Sequence, residues 1–332
     1  MVKSYLRYSQ GACLGVIASG SSNVQFDSTG ELGIAPALAE VRVWNLRTGA
    51  VVQKLSDKNL RAEVTSLCIS PDGQHVAAGY SDGSVRIWDL KTAQCEAIFQ
   101  GHKKAVSALR YNATGSLLAS GGKDTDIVVW DVVAEAGQCR LRGHKDAVTD
   151  LVFLERGPFL LILSCSKDTL AKVWEVESKH CVQTLVGHRN ELWSVDTDRS
   201  ETRVVTAGKD TELRVWSWGP ATGDGTGPRE LICLGVLQRA TRARVVTVRF
   251  DALSIGVLAV QSADKTVEIL RMRDDSEVSK KVKRKLKRKR EKETSKQGAL
   301  TEIANSAAAE GAVVEETDRP VRSFLRRVDS TT

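Results

Sequence analysis

The motif Gly121-Gly-Lys-Asp-Thr-Asp-Ile-Val-Val-Trp-Asp131 recurs in variant form at regular intervals along this chain, and we call each copy of it a phrase. The tryptophans that close these phrases are 44, 42, 44 and 42 residues apart, at Trp44, Trp88, Trp130, Trp174 and Trp216. A period of roughly 40 to 45 residues is typical of a propeller blade of four short strands. The spacing therefore predicts an all-β repeat architecture.

The last four phrases share one local chemistry, which covers residues 81–88, 123–130, 167–174 and 209–216. Each has an Asp in the second place, followed by Gly or Thr, and its carboxylate can accept hydrogen bonds from nearby backbone N–H groups in a turn. The alternation that follows predicts a strand, and apolar runs such as 117–120 and 204–206 predict the strand before the turn. A sixth copy at 263–270 has Leu270 where Trp would fall.

Three repeats open with Gly-His, at His102, His144 and His188, and two phrases end in Trp-Asp, at Asp89 and Asp131. From about residue 40 to about 270 these motifs resemble the WD-repeat family, whose signature runs from Gly-His to Trp-Asp. The resemblance implies a WD-repeat β-propeller. Seven blades are the commonest number in that family, so we expect six complete repeats here and a truncated seventh.

In the WD-repeat family a His, a Ser or Thr, the turn Asp and the Trp form a hydrogen-bonded chain within a blade. The resemblance places three such structural tetrads in this chain: His102, Ser120, Asp124 and Trp130; His144, Ser164, Asp168 and Trp174; and His188, Thr206, Asp210 and Trp216. A catalytic triad occurs once, at a cleft, whereas this set recurs in three blades. We therefore predict no catalytic residue and expect that the protein is not an enzyme.

Two repeats depart from the tetrad pattern. The repeat before Trp88 lacks Gly-His and has Ala78 in place of the Ser, and the repeat before Trp44 has Leu38 in place of the turn Asp. We expect these blades to be held mainly by packing.

The net charge of +7 is concentrated in one segment. Residues 280–292 contain ten Lys or Arg and one Glu, a local charge of +9, which leaves the rest of the chain at about −2. Val278, Val282 and Leu286 recur every fourth residue and predict a helix. Two interpretations stand: a solvated insertion, or an RNA-binding arm and nuclear-localisation segment. The candidate residues are Lys280, Lys281, Lys283, Arg284, Lys285, Lys287, Arg288, Lys289, Arg290 and Lys292.

The seven cysteines are odd in number, widely spaced and mostly set in β-like apolar runs. They predict reduced core thiols in an intracellular protein. No Cys-x-x-Cys pair or His pair at ligand spacing occurs, so neither a metal site nor a cofactor is expected. The N-terminus has no secretory pattern and no stretch is apolar enough to span a bilayer, so no membrane association or small-molecule substrate is predicted.

The chain is expected to divide into three parts: a propeller at 1–272, a basic helical then disordered insertion at 273–318, and the start of a next blade at 319–332. Within the propeller, the 219–228 loop contains a Gly-rich run at 223–227. No strand or helix flanks it as a phosphate-binding loop requires, so a surface loop is favoured.

The opening residues 1–8, the phrases at 121–131 and 141–148, and the basic segment after the sixth repeat are similar to the N-terminal part of the WD repeat protein 3 family. Members of this family belong to the UTP-B subcomplex of the small-subunit processome. The resemblance implies a nucleolar scaffold in pre-rRNA processing, partnered by other WD-repeat UTP-B subunits, pre-rRNA and small nucleolar RNA. Family members continue into a second propeller and a helical region, both expected to be missing here. The alternative is a generic WD-repeat adaptor whose basic segment is only a nuclear address.

Overall fold

The computed structural model describes residues 22–27, 29–57, 60–155, 159–219, 230–251, 256–272, 279–280 and 283–288. It divides the chain into two units, Met1–Met272 and Arg273–Thr332. In the first unit the described residues form six antiparallel sheets, and within each sheet strands that follow one another in sequence are hydrogen-bonded neighbours. In the second unit, residues 279–280 and 283–288 are helical.

Five sheets have four strands each. The first contains β1 (Gln25–Phe26), β2 (Leu32–Ala37), β3 (Glu40–Asn45) and β4 (Val51–Leu55). The second contains β5 (Val64–Ile69), β6 (His75–Tyr80), β7 (Ser84–Asp89) and β8 (Cys95–Gln100). The third contains β9 (Val106–Tyr111), β10 (Leu117–Gly122), β11 (Ile127–Asp131) and β12 (Ala136–Leu141).

The fourth sheet contains β13 (Val148–Leu154), β14 (Leu161–Ser166), β15 (Ala171–Glu175) and β16 (His180–Leu185). The fifth contains β17 (Leu192–Thr197), β18 (Arg203–Gly208), β19 (Glu212–Trp218) and β20 (Leu231–Gln238). The sixth contains β21 (Val245–Phe250), β22 (Val257–Ser262) and β23 (Val267–Arg271). The described residues thus form six blades, as expected, and the described part of the sixth has three strands.

Each sheet is one blade, and the first strands of neighbouring blades contact one another from β5 to β21. The strand that contains the tryptophan packs that residue onto the preceding blade. Trp130 of blade three stacks on Phe99 of blade two with 5.0 Å between ring centroids. Trp174 and Trp216 belong in the same way to clusters that combine residues of their own blade with residues of the blade before it. Each of these three tryptophans is thus an inter-blade contact.

Blade six lacks the tryptophan that contacts the preceding blade, because Leu270 occupies its position. Leu237 of β20 faces Leu213 in the same register in which Phe99 faces Val85. Phe99 is 3% exposed, whereas Leu237 is 37% exposed. The smaller side chain at position 270 leaves this part of blade five uncovered.

The alternating turns define two faces of the propeller. We call the side that holds the loops between successive blades and the turns between second and third strands the loop face. The opposite side, with the remaining turns, is the turn face. Backbone hydrogen bonds fasten the two components of the loop face together: the Lys123 N–H donates to the Ala105 carbonyl, and the Lys209 N–H donates to the Glu191 carbonyl, both at 2.9 Å.

Candidate functional site: polar tetrads and basic surfaces

The first predicted tetrad lies within blade three. His102 Nδ1 is 3.0 Å from Asp124 Oδ1, and His102 Nε2 is 2.8 Å from Ser120 Oγ. The Trp130 indole N–H donates to the same Ser120 oxygen at 2.8 Å. The structure therefore brings these four side chains into one continuous chain.

The other two tetrads have the same arrangement. In blade four, His144 lies 2.8 Å from Asp168 and 2.7 Å from Ser164, whose oxygen accepts the Trp174 indole N–H at 2.8 Å. In blade five, the corresponding contacts of the tetrad's histidine with its carboxylate and hydroxyl are 3.3 and 2.9 Å, and the indole contact is 2.9 Å. The side chains involved there are His188, Asp210, Thr206 and Trp216.

The hydrogen-bond roles follow from the chemistry of the groups. An ionised carboxylate only accepts, so the Nδ1–H of a neutral imidazole donates to it and Nε2 accepts from the hydroxyl. The hydroxyl oxygen in turn accepts from the indole, which can only donate. Ser120, Ser164 and Thr206 are each 0% exposed. Each hydroxyl is thus buried, and both its donor and its acceptor capacity are used inside the blade.

The carboxylates of the tetrads are held in the ionised form. Burial alone raises the pKa of Asp168, but the bonds from His144 and from the Lys145 backbone N–H outweigh it and bring the pKa to about 2. The pKa of Asp124 and that of Asp210 are also lowered, because hydrogen bonds from backbone N–H and side-chain donors overcome burial. Burial lowers the pKa of His188, against the opposing effect of its carboxylate partner.

In blade two a different residue accepts the hydrogen bond from the tryptophan indole. Ala78 occupies the serine position, and the Trp88 indole N–H donates instead to the Tyr80 hydroxyl at 3.3 Å. Tyr80 is fully buried, and burial raises its pKa to about 12. In blade one, no partner for the buried Trp44 Nε1 is found among the described residues. Blade one therefore comes nearest to the predicted packing-only blade, while blade two has a substitute bond that the sequence pattern did not indicate.

A second polar cluster crosses between blades and was not predicted. Arg110 of blade three lies 3.5 Å from Asp196 of blade five, and Arg249 of blade six lies 3.4 Å from Asp150 of blade four. The Ser194 hydroxyl donates to Asp150 at 2.8 Å. All five side chains come from first strands, so ion pairs link blades that are not sequence neighbours.

The described cysteines differ in burial, with Cys95 intermediate. Cys68, Cys139 and Cys165 are buried as predicted, whereas Cys181 and Cys233 are exposed. The prediction of a core thiol is wrong for the exposed pair. Cys181 and Cys233 lie opposite the blade's tryptophan on a fourth strand, whereas Cys139 of β12 lies opposite Val129 and points into the core. All cysteines in the described ranges are free thiols, and Cys13 lies outside those ranges.

The basic segment is partly described. Lys280, Lys283, Arg284, Lys285, Lys287 and Arg288 are all exposed in helical residues. Leu286 of the predicted apolar stripe is 52% exposed. The remaining candidate cations, Lys281, Lys289, Arg290 and Lys292, lie outside the described residues, as do Val278, Val282, the 223–227 run and residues 319–332.

The described residues contain no group of three or more His, Cys, Asp or Glu placed to hold a metal ion. Where the structure is described, no helix is long and apolar enough to cross a bilayer.

Comparison with known proteins identifies relatives of the chain. Residues 31–218 match the family model described as WDR3 first beta-propeller domain. A Saccharomyces cerevisiae protein named U3 small nucleolar RNA-associated protein 12 is 36% identical over 308 residues, covering 85% of this chain and 32% of the relative. The Dictyostelium discoideum WD repeat-containing protein 3 homolog is 42% identical over 106 residues, covering 32% of this chain and 11% of the relative.

Human WD repeat-containing protein 3 is 46% identical over 94 residues, covering 27% of this chain and 10% of the relative. The chain thus spans about a third or less of the length of these relatives. The family model itself covers more than half of the chain and confirms the predicted WD-repeat β-propeller. The chain belongs to the family of the WDR3 first β-propeller domain.

Proposed function

We propose that the protein is a non-catalytic scaffold of the small-subunit processome. In this role it acts in pre-rRNA processing and small ribosomal subunit biogenesis, in association with small nucleolar RNA. The observation that carries the proposal is the match of residues 31–218 to the WDR3 first β-propeller domain. The name of the yeast relative, which refers to U3 small nucleolar RNA, supports it.

The tetrads support a structural rather than a catalytic role. Ser164 is the clearest case, because its hydroxyl is wholly buried and lies within 2.8 Å of both His144 and Trp174. A nucleophile needs a site beside it where the reacting atom of a substrate can sit. The enclosed hydroxyl offers none, so we propose that the tetrads act as staples within the blades.

The proposed location is the nucleolus, and the proposed partners are other WD-repeat subunits of UTP-B, pre-rRNA and small nucleolar RNA. The exposed cations of 283–288 support direct contact with RNA phosphates, since Lys and Arg neutralise them and release counterions. For the domains we propose that 1–272 forms the propeller, 273–318 the basic insertion and 319–332 the start of a seventh blade.

Crosslinking in cells tests this proposal. The protein is compared with a variant in which all ten Lys and Arg of 280–292 are replaced by Gln. A matched control replaces only the seven Lys of that segment by Arg and so keeps the charge. We expect pre-rRNA and small nucleolar RNA to be recovered with the protein and the control, and to be largely lost with the Gln variant.

Two outcomes count against the proposal. If the unaltered protein recovers neither RNA class and is not enriched in the nucleolus, the processome assignment is wrong and the generic adaptor replaces it. If the Gln variant recovers both RNA classes at full yield, the basic segment has no part in the mechanism. If that variant merely leaves the nucleus, a nuclear-localisation sequence fused to it separates import from RNA contact.

A further inference from the structure

The near-neutral total charge of the propeller conceals an uneven distribution between its two faces. Exposed cations occupy the loop face of blades three to five. They lie after the Gly-His pairs and in the turns between second and third strands, at Lys103, Lys104, Lys123, Lys145, Arg189 and Lys209. None of these six side chains has an ion-pair partner among the described residues. They are therefore available to an anionic partner.

The turn face has the opposite character. Carboxylates occupy its turns and the adjoining strand ends in blades two to five, at Asp72, Asp131, Glu135, Glu155, Glu177 and Asp198. Several of these accept backbone N–H bonds in their own turns, as Asp72 does from Gln74 and Asp131 from Val133. The loop face of blades three to five also holds carboxylates, among them the tetrad aspartates and the exposed Asp146, but its cations outnumber them. An anionic polymer is therefore attracted to the loop face rather than to the turn face.

Trp193 of β17 lies beside the basic stretch of the loop face. In blades two to four, the second residue of the first strand is Thr65, Ser107 or Thr149, and its hydroxyl donates to a carbonyl of the next blade. Blade five has Trp193 at this position. Its substitution removes that inter-blade bond, so packing of the repeat does not account for the residue.

The surroundings of Trp193 are cationic. Lys167 Nζ lies 4.7 Å and Arg244 Cζ 4.1 Å from the centroid of its ring, so cations from blades four and six both contact the indole. The attraction between a cation and the face of an aromatic ring keeps these two long side chains close to the indole. The indole Nε1 is buried and has no acceptor among the described residues. What the indole contributes to the loop face is therefore the positioning of two cations over its ring.

We propose that the loop face of blades three to five, together with Lys167 and Arg244 over the Trp193 ring, binds the phosphodiester backbone of RNA. This inference rests on the proposed function and adds a second RNA contact, separate from the basic segment. Phosphate oxygens are acceptors that suit these cations. Protein partners instead require buried apolar anchors. Several of the exposed apolar side chains lie on fourth strands, as Ile232 and Leu234 of β20 do, and among the described residues on the loop face of blades three to five Val186 is the exposed large apolar side chain.

The size of the effect follows from counterion release. For single strands the logarithm of the binding constant falls with the logarithm of salt concentration with a slope of about −0.7 per phosphate contact. Removing three contacts should therefore make the slope less steep by about 2 and weaken binding about 100-fold at about 0.1 M monovalent salt. A change of this size is readily measured.

The test uses the full chain and a fluorescent 20-nucleotide unstructured RNA, with binding followed by anisotropy across a salt series. The loop-face variant is K123Q/K145Q/K209Q, and the matched control is R47Q/K91Q/K179Q, which removes the same charge from the turn face. Both sets are also placed in the chain whose basic segment carries Gln. We expect the loop-face variant to show the loss in both backgrounds and the control to stay within about twofold, because its cations do not contact phosphate.

The inference is overturned if the loop-face variant and its control bind RNA equally, or if the loop-face variant loses affinity for polyglutamate but not for RNA. Circular dichroism spectra matching the unaltered protein show that the variants are folded. Failure here leaves the crosslinking result from the basic segment intact. Conversely, loop-face binding in a protein that recovers no nucleolar RNA from cells refutes the proposed function and not the surface.

Discussion

Replacing Ser164 by Ala should destabilise the propeller through loss of one tetrad. The hydroxyl donates to His144 Nε2 at 2.7 Å and accepts from Trp174 Nε1 at 2.8 Å. Alanine leaves His144 Nε2 and Trp174 Nε1 without a partner in a site that water does not reach. Each unsatisfied buried group costs about 1 to 3 kcal/mol, so the free energy of unfolding should fall by roughly 2 to 4 kcal/mol.

Equilibrium urea unfolding followed by far-UV circular dichroism measures this loss. A domain of this size shifts its melting temperature by about 2 to 4 °C per kcal/mol, so thermal unfolding should show a decrease of roughly 4 to 16 °C. The matched control is Ser178→Ala in the same blade, where an exposed hydroxyl bonds to Glu175. Its cost should stay within about 0.5 kcal/mol.

A double-mutant cycle tests whether the serine acts through the indole. Trp174→Phe removes the N–H donor, so Ser164→Ala should cost less in that background, with a coupling of about 1 kcal/mol or more. The reasoning is refuted if Ser164→Ala costs no more than the Ser178 control. It is also refuted if the cost is the same with Phe at position 174, because the tetrad would then not behave as a connected unit.

Three further predictions concern other parts of the propeller. Tyr80→Phe should leave the Trp88 indole unpaired and cost about 1 to 3 kcal/mol in urea unfolding, and a cost near zero would show that the 3.3 Å contact does not substitute for the missing serine. Arg110→Met should cost less than the about 3 to 5 kcal/mol of an uncompensated buried charge, because Arg249 still lies 3.7 Å from Asp196; an unchanged unfolding midpoint would contradict the inter-blade ion pair. Stability should decline with acid in two steps in a series of unfolding curves. The pKa of His188 is lower in the folded protein than in the unfolded chain, so the unfolded chain binds the proton more readily and stability falls as pH drops below 6.5. The pKa of Asp168 is about 2 in the folded protein, so the stability that its ionised carboxylate contributes is lost between pH 3.8 and about 2. A stability profile flat from pH 7 to pH 3 would rule this out.

The repeated motifs allowed much of the fold to be predicted from sequence. The Asp-Gly and Asp-Thr steps place a turn before each third strand because their chemistry is local. The Asp168 carboxylate, for example, accepts from the N–H two residues on. The family resemblance then placed the tetrad residues, and in the structure they lie within hydrogen-bond distance of one another.

Features that depend on three-dimensional neighbours were not predictable. Tyr80 replaces the missing serine from two residues further along β6, which a positional comparison does not reveal. Arg110 and Asp196 belong to blades that are not adjacent in sequence, so no local period marks the pair. The polarity of the two faces could have been found by sorting charges according to turn type, whereas summing them to about −2 concealed it. Trp193 takes the place of a Ser or Thr of blades two to four, and only the strand register identifies the positions as equivalent.

Depletion of the protein from its own cells, followed by pulse labelling of ribosomal RNA, tests the central claim most directly. A processome scaffold predicts that the mature small-subunit RNA falls, that its uncleaved precursor accumulates, and that the large-subunit RNA is initially maintained. Re-expression of the protein should restore the ratio. Unchanged labelling of small-subunit RNA after full depletion would contradict the claim and leave a WD-repeat propeller that acts elsewhere.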